Sequence, residues 1–304
     1  MQTHLPVMLE ESLTGLSLRA DGIYLDGTFG RGGHSAAILA RLSPAGALHA
    51  FDRDPAAAGA AGRLSAAHSN FHFHAVPFAT LGEVCAVAGI AGRVAGVLLD
   101  LGVSSPQFDD PARGFSFAKD GPLDMRMDPR SGESAAAWLA RATEKEIADV
   151  LWTLGEERNS RAIAHQVVAV RKAQPLTGTA QFAELILSVH RGPRQKIHPA
   201  TLSFQAIRLH VNQELEQLAS ALTQAVDVLA PGGRLVVISF HSLEDRIVKR
   251  FMRDAERAEG STLERIGKKQ FAGDAEVAAN PRARSAVLRI AEKRPPDYRT
   301  RGQG

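Results

Sequence analysis

Asp26-Gly27-Thr28-Phe29-Gly30-Arg31-Gly32-Gly33-His34-Ser35 joins the β-type run Gly22–Phe29 to a helical stretch, Ser35–Leu42, and its reading decides the fold. Glycines here let the backbone approach a ligand closely and tolerate positive φ, while the helix start offers unpaired N–H groups. The spacing misses the dinucleotide fingerprint, because Ser35 stands where its third glycine belongs. A pyrophosphate cradle is therefore disfavoured. Outward from the loop, three more β-type runs follow at Gly46–Phe51, Phe71–Val76 and Val94–Leu99. Helices separate them. Asp54-Pro55 reads as an N-cap followed by proline at the first helical position, opening a helix to about His68, and a third helix spans Ala79–Ala91. Strands alternating with helices at this spacing predict a parallel sheet with right-handed crossovers.

After Leu99 the rhythm breaks. The next strand, Arg234–Phe240, follows the Pro231-Gly232-Gly233 turn, and the interval far exceeds what a crossover needs. Most of it reads as helix. Thr143 and Glu146 form a capping box before Ile147–Leu154, Ser160 caps Arg161–Lys172, and Leu215, Leu218, Leu222, Val226 and Leu229 mark one face of a long helix. The predicted organisation is an α/β core, residues 1–107 and 210–304, interrupted by an α-helical insert over 108–209 whose core includes Trp138 and Trp152. Ser242 and Asp245 are expected to cap a helix over 243–258, Ser285–Glu292 to form a late strand, and Gly260–Ala279 to be a surface loop.

Composition narrows the class. The chain has 304 residues, 44% apolar and 23% charged, as soluble globular proteins do. No apolar run approaches the length of a membrane span, and Glu10-Glu11 stand where a signal peptide needs apolar residues. A single cysteine, Cys85, excludes an internal disulfide framework and a cysteine-based zinc cluster, and none of the 11 histidines pairs with carboxylates at ligand spacing. A soluble, cytoplasmic protein without a metal centre is expected. Net charge is only +3, but its distribution is uneven. Leu185–Gln213 contains no acidic residue and carries Arg191, Arg194, Lys196 and Arg208 with His190, His198 and His210. The tail from Pro281 holds Arg282, Arg284, Arg289, Lys293, Arg294, Arg299 and Arg301 against Glu292 and Asp297. Two basic surfaces suit a phosphate-rich partner; a plain solvated surface is the alternative.

The strand ends suggest a ligand. The second strand ends at Asp52, where a carboxylate can accept two hydrogen bonds from a ribose diol. The third ends in Pro77-Phe78, which brings a ring suited to packing on a purine, and the fourth ends in Asp100. Singly, these are a loop aspartate and a core phenylalanine. At the carboxyl ends of adjacent parallel strands they converge on one crevice and point to an adenosine-containing ligand.

The motifs carry a resemblance. Asp26–Ser35, Asp52-Arg53-Asp54-Pro55, Leu99–Gln107 (LDLGVSSPQ), Arg113–Phe117 (RGFSF) and Gly121–Asp128 (GPLDMRMD) belong to it. So do Gly155–Arg158 (GEER), His198–Thr201 (HPAT), Ile238–Arg246 (ISFHSLEDR) and Asn280–Ser285 (NPRARS). On these runs the chain closely resembles the bacterial ribosomal RNA small subunit methyltransferase H family, also called MraW. The resemblance implies a class I, Rossmann-like S-adenosylmethionine-dependent methyltransferase core with an inserted α-helical domain. It also implies S-adenosyl-L-methionine as methyl donor and the exocyclic N4 of one cytidine in the decoding region of 16S rRNA as acceptor. The family's donor-binding positions fall on Gly32, Gly33, His34, Asp52, Phe78, Asp100 and Gln107. Relative to some members, the segment around 260–279 is shorter, which implies a trimmed loop.

Candidate substrate-side groups are Asp124, Lys196, His198, Arg208, Asn212 and His241, with Lys196 and Arg208 reading as phosphate contacts. His241 follows the fifth strand; it either orients the base or is an ordinary strand-end histidine. Phe115 and Phe117 divide between base stacking and core in the same way. Carbon methylation needs a thiolate in the crevice, and Cys85 sits within an amphipathic helix instead. Many amino-methyltransferases place an acid or Asn, two prolines and an aromatic after strand four. Asp100-Leu101-Gly102-Val103-Ser104-Ser105-Pro106-Gln107-Phe108 departs from that, so no residue is assigned as the amine's proton acceptor. A DNA amino-methyltransferase, a nicotinamide-dependent oxidoreductase and an RNA-binding scaffold are the rival classes. The expected partner is 16S rRNA within the small ribosomal subunit.

Overall fold

Ile23–Asp26 (β1), Ala47–Phe51 (β2) and Val94–Asp100 (β4) are nearly continuous apolar runs, the pattern of strands covered on both faces. Phe71–His74 (β3) alternates instead, as an edge strand does. The structure, a computed structural model, describes residues 6–190, 198–258 and 263–295. Helix α1 (Leu9–Leu16) precedes β1, and α2 (Gly33–Leu39), α3 (Ala58–Ala67) and α4 (Leu81–Val87) follow β1, β2 and β3. Asp54 caps as its sequence suggests: its carboxylate accepts the Ala56 N–H, and Pro55 opens a 3-10 turn leading into α3.

The chain divides into two compact units, one from residues 1–102 with 215–304 and one from Val103 to Glu214. Among the described residues the second unit holds six α-helices: α5 (Ser105–Asp109), α6 (Ala135–Arg141), α7 (Glu144–Gly155), α8 (Ser160–Val170), α9 (Thr179–Val189) and α10 (Ala200–Asn212). Its own core is built from Leu139, Ile147, Leu151, Ile163, Val167, Phe182, Ile186 and Ile207. The Thr143–Glu146 capping box is present, with Thr143 N–H donating to Glu146 Oε2 at 2.7 Å and Glu146 N–H to Thr143 Oγ1 at 3.2 Å. Ser160 is not a cap; Asn159 holds that position and Ser160 is the buried first residue of α8. Trp138 is core at 5% exposure, whereas Trp152 is 60% exposed and is not.

The first unit resumes with α11 (Glu214–Val228), which starts at the boundary, then β5 (Leu229–Ser239), α12 (Ser242–Arg257), β6 (Leu263–Arg265), β7 (Gln270–Phe271), α13 (Asp274–Ala279) and β8 (Val287–Lys293). The sheet order is β3-β2-β1-β4-β5-β8-β6, with β7 also on β8. Strands β1 to β5 are parallel; β8 runs antiparallel to β5, and β6 and β7 antiparallel to β8. Leu13, Ile38, Leu48 and Leu288 belong to one apolar layer, and Phe51, Leu81, Leu222 and Val248 to the other. This is a doubly wound, Rossmann-like class I core.

Three expectations are corrected here. Pro231-Gly232-Gly233 lies inside β5, as an irregularity between the Val94↔Leu229 and Gly96↔Arg234 pairs. The described part of 260–279 is not a loop: it supplies β6, β7 and α13, because its backbone finds an open edge on β8. Finally, α12 is capped by His241 and Glu244 rather than Ser242 and Asp245.

Candidate active site

At the carboxyl end of β1, Asp26 is buried and organises the glycine loop. Its Oδ2 accepts Ser35 Oγ–H at 2.6 Å and its Oδ1 accepts Thr28 N–H at 3.1 Å. Burial raises its pKa even though Ser35 works against the shift. Gly32 has φ 79, a conformation only glycine adopts freely. At Gly33 a Cβ would stand 2.4 Å from Pro6 Cγ, so Pro6 lies directly on the loop. His34, the next residue, is also buried; its Nε2 is 3.2 Å from Val7 O, which makes Nε2 the protonated nitrogen. Burial lowers the His34 pKa, so the ring is neutral.

Asp52 lies just past β2. Its Oδ2 accepts Gly30 N–H at 2.8 Å and its Oδ1 accepts Asp54 N–H at 2.8 Å, tying the glycine loop to the next strand's turn. Each oxygen keeps a second lone pair for a ligand. Burial pushes Asp52 up to about 6, against the pull of those two N–H groups. Phe78 opens a 3-10 turn after Pro77 and packs against the core beside Gly27, whose imagined Cβ would meet Phe78 Cβ at 3.2 Å.

Asp100 ends β4. Its N–H donates to Thr28 Oγ1 at 2.7 Å, and its Oδ2 is 3.6 Å from His34 Nδ1. Its Oδ1 is buried without a hydrogen-bond partner among the described residues. Burial raises its pKa well above the usual carboxylate range, and the nearby charges of Asp26, Glu244 and Glu276 add to that. Glu276 is itself engaged, accepting Met8 N–H at 2.7 Å. His241, after β5, belongs to this unit as well: Nδ1 accepts Glu244 N–H at 3.4 Å, and Nε2 is 3.1 Å from Glu244 Oε1, close but poorly aligned. Glu244 Oε2 accepts Phe240 N–H at 2.8 Å. Six of the proposed site residues thus stand in the first unit at the carboxyl side of the sheet near the glycine loop, and His241 follows β5 there.

The remaining candidates belong to the second unit. Gln107 Oε1 accepts both the N–H and the hydroxyl of Ser104, at 2.9 and 3.0 Å, closing the start of α5. Asp124 grips Arg126 through Nε at 2.9 Å and Nη2 at 2.7 Å; although burial pushes its pKa up, those hydrogen bonds hold it below the usual range. Asn212 latches the same loop, accepting Met127 N–H at 2.8 Å and donating to Met125 O at 2.7 Å. Arg208 pairs with Glu214 at 2.9 Å and leaves Nη2 buried without a partner among the described residues. His198 is exposed, its ring 4.5 Å from that of Phe117, while Phe115 is buried in the unit's core. Lys196 lies outside the described residues, as do Arg191, Arg194, Arg299 and Arg301.

Two site groups escaped the residue-level reading, Asp26 and Glu244. Both stand in the quoted motifs, but nothing in the spacing signals that they are buried carboxylates facing the crevice end. Among the described residues no group of three or more His, Cys, Asp or Glu side chains can hold a metal ion. No described helix is long and apolar enough to cross a membrane.

A protein from Thioalkalivibrio sulfidiphilus called ribosomal RNA small subunit methyltransferase H is 57% identical, over 95% of this chain and 97% of its own length. One of the same name from Xanthomonas campestris pv. campestris is 54% identical over 99% of this chain and 90% of its own. Among solved structures, an rRNA methylase from Streptococcus thermophilus matches with 12% identity and a TM-score of 0.45, over 97% of this chain and 100% of that one. The sequence profile of the MraW methylase family spans residues 1–294, so the chain belongs to the MraW methylase family.

Proposed function

We propose that this methyltransferase transfers the methyl group of S-adenosyl-L-methionine to the exocyclic N4 of a cytidine in the decoding region of 16S rRNA, acting in the cytoplasm on the small ribosomal subunit. The observation that carries the reading is the set of carboxylates at the strand ends, above all Asp100 with its unsatisfied Oδ1. A buried carboxylate crowded by like charges is matched by a cationic ligand, and the donor is one. Asp52 would accept the ribose hydroxyls, Phe78 would pack on the adenine, and Gly32, Gly33 and His34 would let the donor lie against the loop. Gln107, in the second unit, completes the donor set that the family resemblance implies.

The bound donor supplies an already activated sulfonium methyl. What remains for the chain is proximity and in-line geometry, together with a pocket that holds the amine while its lone pair leaves conjugation with the ring. Asp124, Lys196, His198, Arg208 and Asn212 of the insert and His241 of the core are assigned to the acceptor side. On the geometry described, Asp124 and Asn212 serve by shaping the loop around Met125.

Transfer of labelled methyl from S-adenosylmethionine tests this, with unmodified small subunits, naked 16S rRNA and duplex DNA as acceptors. N4-methylcytidine mapped to the subunit is the expected product. Label on duplex DNA alone would overturn the substrate, and label on C5 would overturn the target atom.

A further inference from the structure

The far edge of the sheet holds side chains that neither proposed site uses. β6 and β7 both pair with β8, at Leu263↔Lys293 through Arg265↔Ala291 and then at Gln270↔Leu288 and Phe271↔Val287. Ile266 N–H still bonds Ile290 O at 2.9 Å, so Gly267, Lys268 and Lys269 bulge away between the two pairings, with Gly267 at φ 65. Both lysines are exposed, and Lys269 Nζ lies 4.8 Å from the centroid of the Phe271 ring.

A bulge and lysines guard an open sheet edge against pairing with another chain. That accounts for the lysines but not for Phe271, which is 57% exposed at the same edge. An aromatic ring held in water beside a cation suits a flat, polyanionic partner. The register places it relative to the active site. Asp100 pairs with Ile238, Ile238 with Leu288 and Leu288 with Gln270, so one row crosses four strands. Three strand spacings make roughly 14 Å. Phe271 is the next residue along, at the crevice end of the sheet.

We propose that Lys268, Lys269 and Phe271 form a contact for single-stranded RNA flanking the target cytidine, with one base stacked on Phe271 and backbone phosphates on the two lysines. Sequence-tolerant stacking beside a cationic track is how proteins hold unpaired nucleotides. This rests on the rRNA reading above. The acidic neighbours Asp274 and Glu276 lie in α13, and Glu276 is turned to Met8 N–H.

Full-length wild type, Lys268→Glu/Lys269→Glu and Phe271→Leu are titrated with unmodified 16S rRNA over a range of salt. S-adenosylhomocysteine binding by calorimetry checks the core of each. The double reversal is expected to lower the slope of log K against log salt by about 1.4, at about 0.7 per phosphate on single strands. Phe271→Leu keeps the apolar bulk without the π face and should weaken rRNA binding roughly tenfold. Donor-analogue affinity should not change in either. If the double reversal also loses the donor analogue, Phe271→Leu decides alone. Wild-type rRNA affinity and salt slope in the variants would overturn the contact while leaving the enzyme's function intact. A wild-type chain that neither binds nor methylates 16S rRNA would instead remove the substrate reading, and this contact with it.

Discussion

Replacing Asp52 with asparagine should separate ligand binding from stability. Burial raises the Asp52 pKa from 3.8 to about 6. At 1.36 kcal/mol per unit, the ionised carboxylate costs the empty fold about 3 kcal/mol at neutral pH. Because the folded pKa is the higher one, this group adds stability as pH falls from about 6 towards 3.8, and takes it away as pH rises through 6. Asparagine removes the charge. One of its two polar atoms still accepts an N–H from Gly30 or Asp54, but the other is a donor facing a donor, a loss of about 1–3 kcal/mol. The balance lies between about 0 and 2 kcal/mol of stabilisation, so the melting temperature should hold or rise by a few degrees. Donor affinity should move the other way. Charged hydrogen bonds to a ribose diol contribute about 1.5–3 kcal/mol each, and losing their charge should weaken binding roughly 30- to 1000-fold. Calorimetric titration with S-adenosylmethionine at pH 7.5, beside a thermal melt, measures both. Wild-type affinity should itself weaken as pH is lowered through about 6. A variant that binds donor within threefold of wild type would refute the ribose role. One that melts ten degrees lower would show the carboxylate to be a structural tie between loop and turn.

Other outcomes follow from burial and space. Trp138→Ala should cost about 3–5 kcal/mol, because the ring is core, whereas Trp152→Ala should change stability by less than about 0.5 kcal/mol; denaturant melts distinguish them. Gly27→Ala should destabilise by about 1–3 kcal/mol, since the new Cβ would stand 2.4 Å from Leu99 Cδ2, and calorimetric unfolding reads the loss. His49, buried on β2 with His72 and His74 beside it, has its pKa lowered to about 4 by burial first and its neighbours second. The neutral ring is the folded form, so stability held above pH 6.5 should decline as pH falls towards 4; His49→Phe should flatten that decline in melts taken across pH.

How much of this was legible in the sequence depends on the range of the interaction. Asp52 and Asp100 could be placed because a strand end is a local signal and parallel neighbours bring such ends together. The helix cap at Asp54 and the box at Thr143 were legible for the same reason. Asn212 could be named as a candidate but its latch could not be read, because its partners Met125 and Met127 lie more than eighty residues away and hydrogen bonding leaves no periodicity. β6 and β7 are 3 and 2 residues long, too short for alternation to register; only β8 makes them strands. Trp152 is different, since the helix itself held the answer. Ile147 and Leu151 mark the buried face of α7, and a residue five positions from Ile147 falls about 140° away, at 100° per residue.

The electrostatics of the strand ends also bear on turnover. Asp26 and Asp100 are both held above the usual carboxylate range, mainly by burial, and Asp100 further by Asp26, Glu244 and Glu276. Such a cluster is unfavourable when empty and favourable around a cation. On the proposed function, the donor enters with a sulfonium charge and leaves as a neutral thioether, so the attraction is strongest before transfer and weaker after it. Uniform binding of donor and product would retard release without lowering the barrier, whereas a site matched to charge lets go of what it has demethylated. The same carboxylates that make the ligand-free crevice costly therefore favour the cationic donor over the neutral product at the binding step.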